Sequence, residues 1–505
     1  MDAKHIAVLE IGSSKVKGAV ARVDTDGGAT LLAMHEIKTL NCVRHGRVQN
    51  VQEVAARVEE VIRRLENDPA VAPRKIRRLR IALGGRSTAS VNASAEAKLP
   101  AEVEITSDII DRLKNDAVLN LPADRHVVSV LPRSFNVDGK EVSNIVGMFG
   151  RNIHADMTVI LAATDNRTNL DRVRLVHADG DEPVQRIYVP RQLALARMAL
   201  TPSEQQLGVA LVDIGAETTT ISIHRDGVLQ SLVTLPMGGR NITRDLATGL
   251  SITEEQAEYI KTAQAAAIPD PQTDGASPEA REINSYSQAR AGEIIANIMH
   301  RIECAGFKAA ELTAGIVLTG RAARMKRMAE LFETQTKMKV RIAPADNSVR
   351  PGNTGADPVD TLDIMALTAW PLAIGDSDLT ALPDKPADDD TADKNDESDN
   401  FGHIYDPRKA SAAARARAND EIDDEDVLRD DPDDDDPDEH YERHRRHDER
   451  KKHKAHKPKP DDDGDFMDGE DEVEEGGSRF GGLRSFITRF GQKIIGTPGP
   501  DEIDE

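Results

Sequence analysis

Two stretches of this sequence, about 200 residues apart, have the same order of residue types. The first is LEIGSSKVKGAV (9–20) and the second is VDIGAETTTISI (212–223). In each, an apolar strand pattern ends in an acid, Glu10 or Asp213, then a glycine, hydroxyl residues and a second apolar strand follow. A tight hairpin of this kind lets backbone N–H groups approach phosphate oxygens. The repeat therefore predicts two similar domains that face each other across a nucleotide-binding cleft.

The residues of these hairpins that we expect to contact the nucleotide are small, carry a hydroxyl, or are charged. They are Gly12, Ser13, Ser14 and Lys15 in the first hairpin and Asp213, Gly215 and Thr218 in the second. The carboxylates of Glu10 and Asp213 are candidates for holding a hydrated Mg²⁺, which prefers one or two carboxylates and several waters.

Two further segments extend the candidate site. The stretch PMGGRNITRDLA (236–247) places Gly238 and Gly239 before a helical pattern, whose N-terminus can face an anion. On the next predicted helix, Glu258 and Lys261 share one face. They either belong to the site or form a surface ion pair, which contributes little stability.

A third strand pattern, GIVLTG, ends at Gly320 and is followed by Arg321 and a helical pattern. Throughout residues 4–378, strand-like runs such as HIAVLEI alternate with helical patterns such as VQEVAARVEEVIRRLEN. This alternation is typical of an α/β chain whose sheets are flanked by helices.

The net charge of −23 is concentrated near the C-terminus, from about Asp384 to Glu475. Acidic runs such as DDPDDDDPDE flank the basic run RHRRHDERKKHKAHKPK. A segment with so few aromatic and β-branched residues cannot bury enough surface to fold, so we expect a disordered linker. Its histidines are either solvated or able to bind a metal.

After this linker the sequence becomes apolar again, in SRFGGLRSFITRFGQKIIG (478–496). The apolar residues recur every three or four positions, with cations between them; they are Phe480, Leu483, Phe486, Ile487, Phe490 and Ile494, with Arg484, Arg489 and Lys493. This pattern predicts an amphipathic helix. Its partner is either an anionic membrane surface or an apolar protein groove.

The N-terminus leads directly into a strand pattern, so we expect no signal peptide and a cytoplasmic protein. Cys42 and Cys304 are too few to define a disulfide framework, and we expect both to be reduced and buried.

Together these motifs resemble the actin-like ATPase superfamily and, within it, the FtsA family of bacterial cell-division proteins. LEIGSSKVKG resembles the first phosphate loop of that family, DIGAETTTISI the second, and GIVLTGRAARMKRM the adenosine motif. LRIALGGRSTASV and the region HVVSVLPRSFNVDGKEVSNIVGMFGRNIHADMTVILAAT resemble the subdomain that distinguishes FtsA-like proteins from other members. The resemblance covers residues 5–375 and the final amphipathic segment.

The resemblance implies an actin-like two-domain ATPase fold with an FtsA-type inserted subdomain, a long linker and a terminal helix. The implied parts are subdomain 1A (4–83 and 166–207), inserted subdomain 1C (84–165), subdomain 2A (208–236 and 312–378), subdomain 2B (237–311), the disordered linker (379–478) and the membrane-targeting helix (479–496).

The resemblance also implies the function, ligands and partners. FtsA-like proteins bind ATP with Mg²⁺, form homopolymers, and lie peripherally on the cytoplasmic side of the inner membrane at the division site. They bind the C-terminal peptide of FtsZ, anionic lipids and later division proteins. Subdomain 2B would hold the FtsZ peptide, and Arg290 is the candidate cation for its acidic groups. We expect no nucleic-acid partner.

Two loops depart from the family pattern, at three positions. The second phosphate loop usually has consecutive glycines where this chain has Ala216 and Glu217, and the adenosine loop has Arg321 where a second glycine is usual. Glu217 brings a carboxylate near the expected phosphates unless it points outward or holds a metal. Arg321 either crowds the nucleotide or stacks on the adenine. We therefore expect slow ATP turnover at most.

The alternative functions are those of other actin-like proteins: a pilus or cell-shape scaffold, or a small-molecule kinase. A kinase needs a base for the substrate hydroxyl, and no such residue is evident in the sequence.

Overall fold

The computed structural model describes the chain over residues 4–122, 124–175, 183–269, 277–343, 348–355, 357, 360–370 and 377–380. The predicted linker beyond residue 380 and the predicted terminal helix, with all its candidate membrane contacts, lie outside the described residues.

The described residues form an α/β fold. In chain order the strands are β1 (His5–Ile11), β2 (Lys15–Val23), β3 (Ala29–Lys38), β4 (Val43–Arg44), β5 (Arg47–Val48), β6 (Arg78–Leu83), β7 (Ala89–Glu104), β8 (Arg125–Val137), β9 (Lys140–Val142), β10 (Phe149–Ala163), β11 (Gln185–Pro190), β12 (Val209–Ile214), β13 (Thr219–Arg225), β14 (Val228–Leu235), β15 (Gly315–Thr319), β16 (Val340–Ile342) and β17 (Val349–Arg350).

The α-helices are α1 (Val51–Glu66), α2 (Ser107–Ala117), α3 (Thr164–Arg172), α4 (Arg191–Ala199), α5 (Pro202–Leu207), α6 (Gly239–Gly249), α7 (Glu254–Gln264), α8 (Pro278–Cys304), α9 (Met328–Thr336) and α10 (Leu362–Thr368).

The first lobe is built on a six-stranded sheet in the order β11-β6-β1-β2-β3-β17. Strand β1 pairs antiparallel with β2 and parallel with β6. Helix α1 covers this sheet with an apolar stripe, and its buried residues include Val54, Val58, Val61 and Leu65. Their spacing of three and four residues places them on one helix face. Each such side chain contributes about 1.5–3 kcal/mol when fully buried.

The second lobe and the insert share a nine-stranded sheet in the order β16-β15-β12-β13-β14-β7-β10-β8-β9. Strand β12 repeats the pattern of β1, because it pairs antiparallel with the next strand, β13, and parallel with a later one, β15. The insert joins the sheet where β7 meets β14, through one residue pair, Ala89 with Val233. Its own core includes Leu113, Phe135 and Ile153.

Helices α4 and α10 connect the two lobes. One apolar core includes residues of both helices together with β1 residues such as Val8 and β12 residues such as Leu211. Every residue of α10 is buried. The first lobe and the second lobe therefore pack on the same pair of helices, which places the two hairpins of the sequence motif at one cleft.

The expectation that both cysteines are buried is wrong for Cys304. Cys42 is buried, whereas Cys304 is exposed, and both are free thiols. In α8, Ile298 and Ile302 face the core. Cys304 lies two residues after Ile302, which turns it away from that face. In the described part of the chain, no helix combines the length and the apolar character that crossing a membrane requires.

Candidate functional site

The two repeated motifs fold as two equivalent hairpins. The first connects β1 to β2 and is closed by the Gly12 N–H, which donates to the Lys15 carbonyl at 3.0 Å. The second connects β12 to β13 and is closed in the same way by Gly215 and Thr218, at 2.8 Å. The two hairpins therefore share the same closing hydrogen bond as well as the same order of residue types.

Both hairpins leave backbone donors available. Among the described residues, the N–H groups of Ser13 and Ser14 and those of residues 216–218 have no protein acceptor. Clusters of successive N–H groups in a tight turn form a concavity that suits an anion. These donors fit the phosphate groups of a nucleotide.

The start of α6 supports the second hairpin. The Gly239 N–H donates to the Gly215 carbonyl at 2.9 Å, and the Gly238 N–H donates to Asn241 Oδ1 at 2.9 Å. A Cβ on Gly238 would lie 2.6 Å from the Gly215 carbonyl oxygen, so only glycine allows this close approach. The first N–H groups of α6 are therefore used to hold the hairpin in place.

Glu258 and Lys261 lie against the start of α6. The Lys261 ammonium donates to Glu258 Oε2 at 2.6 Å, to Thr243 Oγ1 at 2.9 Å and to the Gly239 carbonyl at 3.2 Å. Burial lowers the pKa of Lys261, although Glu258 opposes this shift. Burial would raise the pKa of Glu258, but Lys261 outweighs it and lowers the pKa. Lys261 is thus largely buried against the start of α6, whereas the Glu258 side chain is about half exposed.

Gly320 lies against the base of the second hairpin, and Arg321 follows it. Gly320 has a φ of 87°, and a Cβ there would lie 2.4 Å from the Ile214 carbonyl oxygen. Arg321 is half-exposed, and its guanidinium lies 3.5 Å from Glu36 Oε2, while Glu36 also pairs with Lys15. In this structure Arg321 therefore takes part in an ion pair that connects the second lobe to the first.

A buried group of charges lies behind the hairpins and was not predicted from the sequence. Arg191, at the start of α4, donates to Glu10 Oε1 at 2.9 Å and also to Asp213. Lys17 of β2 lies 3.1 Å from Glu10 Oε2 and donates to Asp363 of α10. One arginine thus joins the acids of both hairpins, and one lysine joins the first hairpin to α10.

The buried charges shift one another's titration. Burial would raise the pKa of Glu10, but Lys17 and Arg191 outweigh burial and hold the pKa well below its ordinary range. Burial, reinforced by the charge of Glu10, raises the pKa of Asp363 to about 7. Lys17 and Arg191 oppose this rise in the pKa of Asp363 without cancelling it.

Comparison with known proteins places this architecture in a family. The model described as "Cell division protein FtsA" matches residues 210–357, and that described as "SHS2 domain inserted in FTSA" matches residues 85–161. The cell division protein FtsA of Porphyromonas gingivalis is 30% identical over 357 residues, which cover 67% of this chain and 73% of that protein. The chain belongs to the FtsA family.

Further comparisons agree with this assignment. The cell division protein FtsA of Neisseria meningitidis is 27% identical over 354 residues, which cover 67% of this chain and 83% of that protein. Among solved structures, one titled "PilM-PilN type IV pilus biogenesis complex" aligns with a TM-score of 0.52 and 15% identity. It covers 72% of this chain and 98% of that chain, and the likeness concerns the fold alone. The predicted α/β, actin-like fold with the FtsA-type insert is confirmed. The individual subdomain bounds stay predictions.

Glu217, which stands where the family resemblance implies a glycine, belongs to the second hairpin. Its side chain is not directed outward, since the residue is only 2% exposed. Glu217 Oε2 accepts from the His45 N–H at 2.7 Å, and Oε1 accepts from Arg240 Nη1 at 2.7 Å. Burial would raise the pKa of Glu217, but the His45 N–H and Arg240 outweigh it and lower the pKa. The carboxylate is therefore ionised at neutral pH.

The candidate metal-binding acids of this FtsA-family chain already have partners. Both carboxylate oxygens of Glu10 face cations, Arg191 on one side and Lys17 on the other. Asp213 Oδ1 is buried and has no hydrogen-bond partner among the described residues. The residues present thus fit a hydrated cation held by Asp213 alone, and Glu10 is free for a metal only if Arg191 or Lys17 moves.

Arg290, the candidate cation for the FtsZ peptide, lies on α8. It donates to both carboxylate oxygens of Asp245 on α6, at 2.5 and 2.9 Å, and to Glu293 at 2.7 Å. A bidentate pair of this kind fixes the guanidinium. An acidic peptide would have to compete with Asp245 for it.

The structure therefore brings the predicted nucleotide-binding residues to one cleft, and their roles stay predictions. Sequence reasoning missed Lys17, Arg191 and Asp363, although Lys17 carried a signal. It is a charged residue at an inward-facing position of an apolar strand, and a cation in such a position requires a partner.

Proposed function

We propose that this FtsA-family chain is a cell-division scaffold that tethers FtsZ polymers to the cytoplasmic face of the inner membrane. In this proposal it forms actin-like, nucleotide-dependent homopolymers and recruits later division proteins. The observation that carries the proposal is the combination, in one chain, of an FtsA-family body with the cationic amphipathic segment 478–496.

A nucleotide would be held by the free N–H groups of the two hairpins, around Ser13, Ser14 and residues 216–218. Lys15 would provide charge to the phosphates, and Glu258 and Lys261 would border the sugar. When bound, ATP with Mg²⁺ supplies phosphate oxygens that both lobes can contact. Lys15 and Arg321 share Glu36 across the cleft, so their ion pairs would have to adjust when a nucleotide enters.

The terminal segment would provide the membrane contact. Full burial of a Leu, Ile or Phe side chain contributes about 1.5–3 kcal/mol, and interfacial burial contributes less. Each cation near an anionic leaflet adds about 1 kcal/mol. Ordering the helix costs roughly 1–2 kcal/mol per residue, so one segment gives reversible attachment. A flexible linker of roughly 95 residues spans on the order of 50–60 Å, which gives the body reach.

Polymerisation would convert this weak attachment into a stable one. When many chains are linked in one polymer, each later membrane contact is effectively intramolecular. Avidity of this kind can exceed the single-site affinity by about 10² or more. Assembly would therefore control the time that the protein spends on the membrane.

Liposome co-sedimentation tests the membrane part of the proposal. The Phe486→Glu/Phe490→Glu variant should lose most of its binding to anionic liposomes, because two apolar contacts become two charges that the leaflet repels. The matched control is Phe401→Glu/Phe466→Glu, which makes the same changes in the preceding charged region. Equal sedimentation of the two variants with liposomes would refute the proposed role of the terminal segment.

Peptide binding tests the FtsZ part of the proposal. Arg290→Glu should reduce affinity for the FtsZ C-terminal peptide at least about tenfold, because it replaces an attractive charge with a repulsive one beside Asp245. Arg281→Glu is the matched control, since Arg281 is exposed and lies nine residues earlier, on the opposite face of α8. An unchanged affinity in Arg290→Glu would remove Arg290 from the peptide site. If the unmodified chain bound no peptide at all, the FtsZ-tethering function would be wrong.

A further inference from the structure

Glu217 places a permanent negative charge in a loop that otherwise offers backbone donors to an anion. It lies between Ala216 and Thr218, whose N–H groups have no protein acceptor among the described residues. A glycine at this position would leave the loop open. Glu217 instead projects a buried, ionised carboxylate from it.

The partners of this carboxylate are those that proteins use for phosphate. Besides the His45 N–H and Arg240, the Arg44 guanidinium lies 3.4 Å from Oε1 and the Arg244 guanidinium lies 3.8 Å from it. Three guanidinium groups and one backbone N–H around a single anionic group are typical of phosphate recognition. Arg244 also approaches a second carboxylate, that of Glu254, at 3.5 Å.

The position of the carboxylate is fixed by the turn between β4 and β5, which reaches both hairpins. The His45 N–H donates to Glu217 of the second hairpin, and the N–H of the next residue, Gly46, donates to Ser13 Oγ of the first hairpin at 2.8 Å. His45 Nδ1 also lies 3.0 Å from the Glu217 carbonyl oxygen. Adjacent amides of one turn thus bind one residue from each hairpin, so the Glu217 carboxylate lies at a turn that contacts both hairpins.

We propose that the Glu217 carboxylate occupies the place of the terminal phosphate of a nucleoside triphosphate, and that this cleft therefore prefers a nucleoside diphosphate. The inference rests on the proposed nucleotide site. A third phosphate would meet a like charge at short distance, and the arginines that would neutralise it are already paired with Glu217. In addition, the hydrogen bonds between His45 and Glu217 already connect the two lobes in the absence of a third phosphate.

Nucleotide binding to the full chain tests this preference. Calorimetric titrations with ADP and with ATP should give ADP an affinity at least about tenfold higher in the unmodified chain, because of the like-charge repulsion. Glu217→Gly removes the carboxylate and leaves three free arginines, so the ratio of the two affinities should shift toward ATP by at least about tenfold. Glu217→Gln keeps the size of the side chain but not its charge. Its ratio of ADP to ATP affinity should lie between that of the unmodified chain and that of Glu217→Gly.

The matched control is Glu204→Gln, which weakens an arginine pair of similar geometry, with Arg341, outside the cleft. Its ADP-to-ATP ratio should equal that of the unmodified chain. If Glu217→Gly fails to fold, as judged by its thermal unfolding, Glu217→Gln decides the question.

Hydrogen exchange gives a second readout, because the His45 amide is bonded to Glu217. In Glu217→Gly without nucleotide, exchange at His45 should accelerate at least about tenfold, and ATP should restore its protection while ADP should not. The inference is overturned if the unmodified chain prefers ATP, or if the ratio in Glu217→Gly changes less than twofold. If neither nucleotide binds to any variant, the nucleotide part of the proposed function is wrong, and the inference with it.

Discussion

Replacing Arg191 with methionine should destabilise the folded body severely, because Arg191 is the cation that both hairpin acids share. Its guanidinium donates to Glu10 Oε1 at 2.9 Å and to Asp213, and the side chains of these acids are only 10% and 4% exposed. Methionine preserves most of the apolar stem. It leaves Glu10 with Lys17 alone, and it leaves the buried Asp213 with no cation among the described contacts.

The size of the effect follows from this burial. Two unit charges 4 Å apart interact by about 4 kcal/mol at the effective dielectric constant typical near a protein surface. Removing one partner of a buried ion pair typically costs about 3–5 kcal/mol, since a buried charge remains uncompensated. We expect Arg191→Met to lower the free energy of unfolding by about 3–5 kcal/mol. The double variant Arg191→Met/Asp213→Asn should recover part of that loss, because it removes one unpaired charge.

Urea denaturation followed by fluorescence measures this change. Trp370 is the single tryptophan of the chain and packs against the core that joins the two lobes, so its emission reports on that core. The matched control is Arg197→Met, an exposed residue on the same helix, for which we expect a change within about 0.5 kcal/mol. If the free energy of unfolding of Arg191→Met lay within about 1 kcal/mol of that of the unmodified chain, the structural role assigned to the shared cation would be wrong.

Three further changes test other parts of the fold. Burial lowers the pKa of His224 to about 4, so the contribution of this residue to stability is complete above pH 6.5 and is lost as the pH falls toward 4. In urea denaturation, the stability advantage of the unmodified chain over His224→Gln should therefore be about 2–3 kcal/mol smaller at pH 4.5 than at pH 7. An equal advantage at both pH values would contradict this. Gly320→Ala should lower the melting temperature, because a Cβ at a φ of 87° would lie 2.4 Å from the Ile214 carbonyl oxygen, whereas Gly355→Ala, also at positive φ but with nothing within 4 Å of its Cβ, should cost less. Thr201→Ala should cost about 1 kcal/mol of unfolding free energy, because Thr201 caps α5 by accepting from the Glu204 N–H; a stability equal to the unmodified chain would show that this cap contributes nothing.

The features that the sequence predicts well are those encoded over short distances. Each hairpin is fixed by an apolar strand, an acid, a glycine and a second strand within about a dozen residues, and both hairpins occur in the structure. The helix at 51–66 is encoded equally locally, by the periodicity of its apolar residues and by the Asn50 cap, which accepts from the Glu53 N–H.

The features that the sequence does not predict depend on distant residues. Nothing near Arg191 in the sequence indicates that its partners are Glu10 and Asp213, because the topology alone brings them together. The contact between the insert and the second lobe is of the same kind, since the Leu232 N–H donates to Ser90 Oγ across 142 residues of chain. Glu217 was recognised as unusual, but its direction depends on His45, which belongs to the other lobe.

The junction between β7 and β14 has a mechanical consequence. Val233 pairs with the insert, and Leu235, two residues later, pairs with Thr219 at the end of the second hairpin. Strand β14 therefore connects the insert directly to that hairpin. Tilting the insert would therefore strain the Ala89–Val233 pairing and the Leu232–Ser90 and Thr158–Leu229 hydrogen bonds, all of which pull on this strand. Strain imposed at the periphery of the molecule is thus delivered within a few ångströms of the backbone amides that face the cleft.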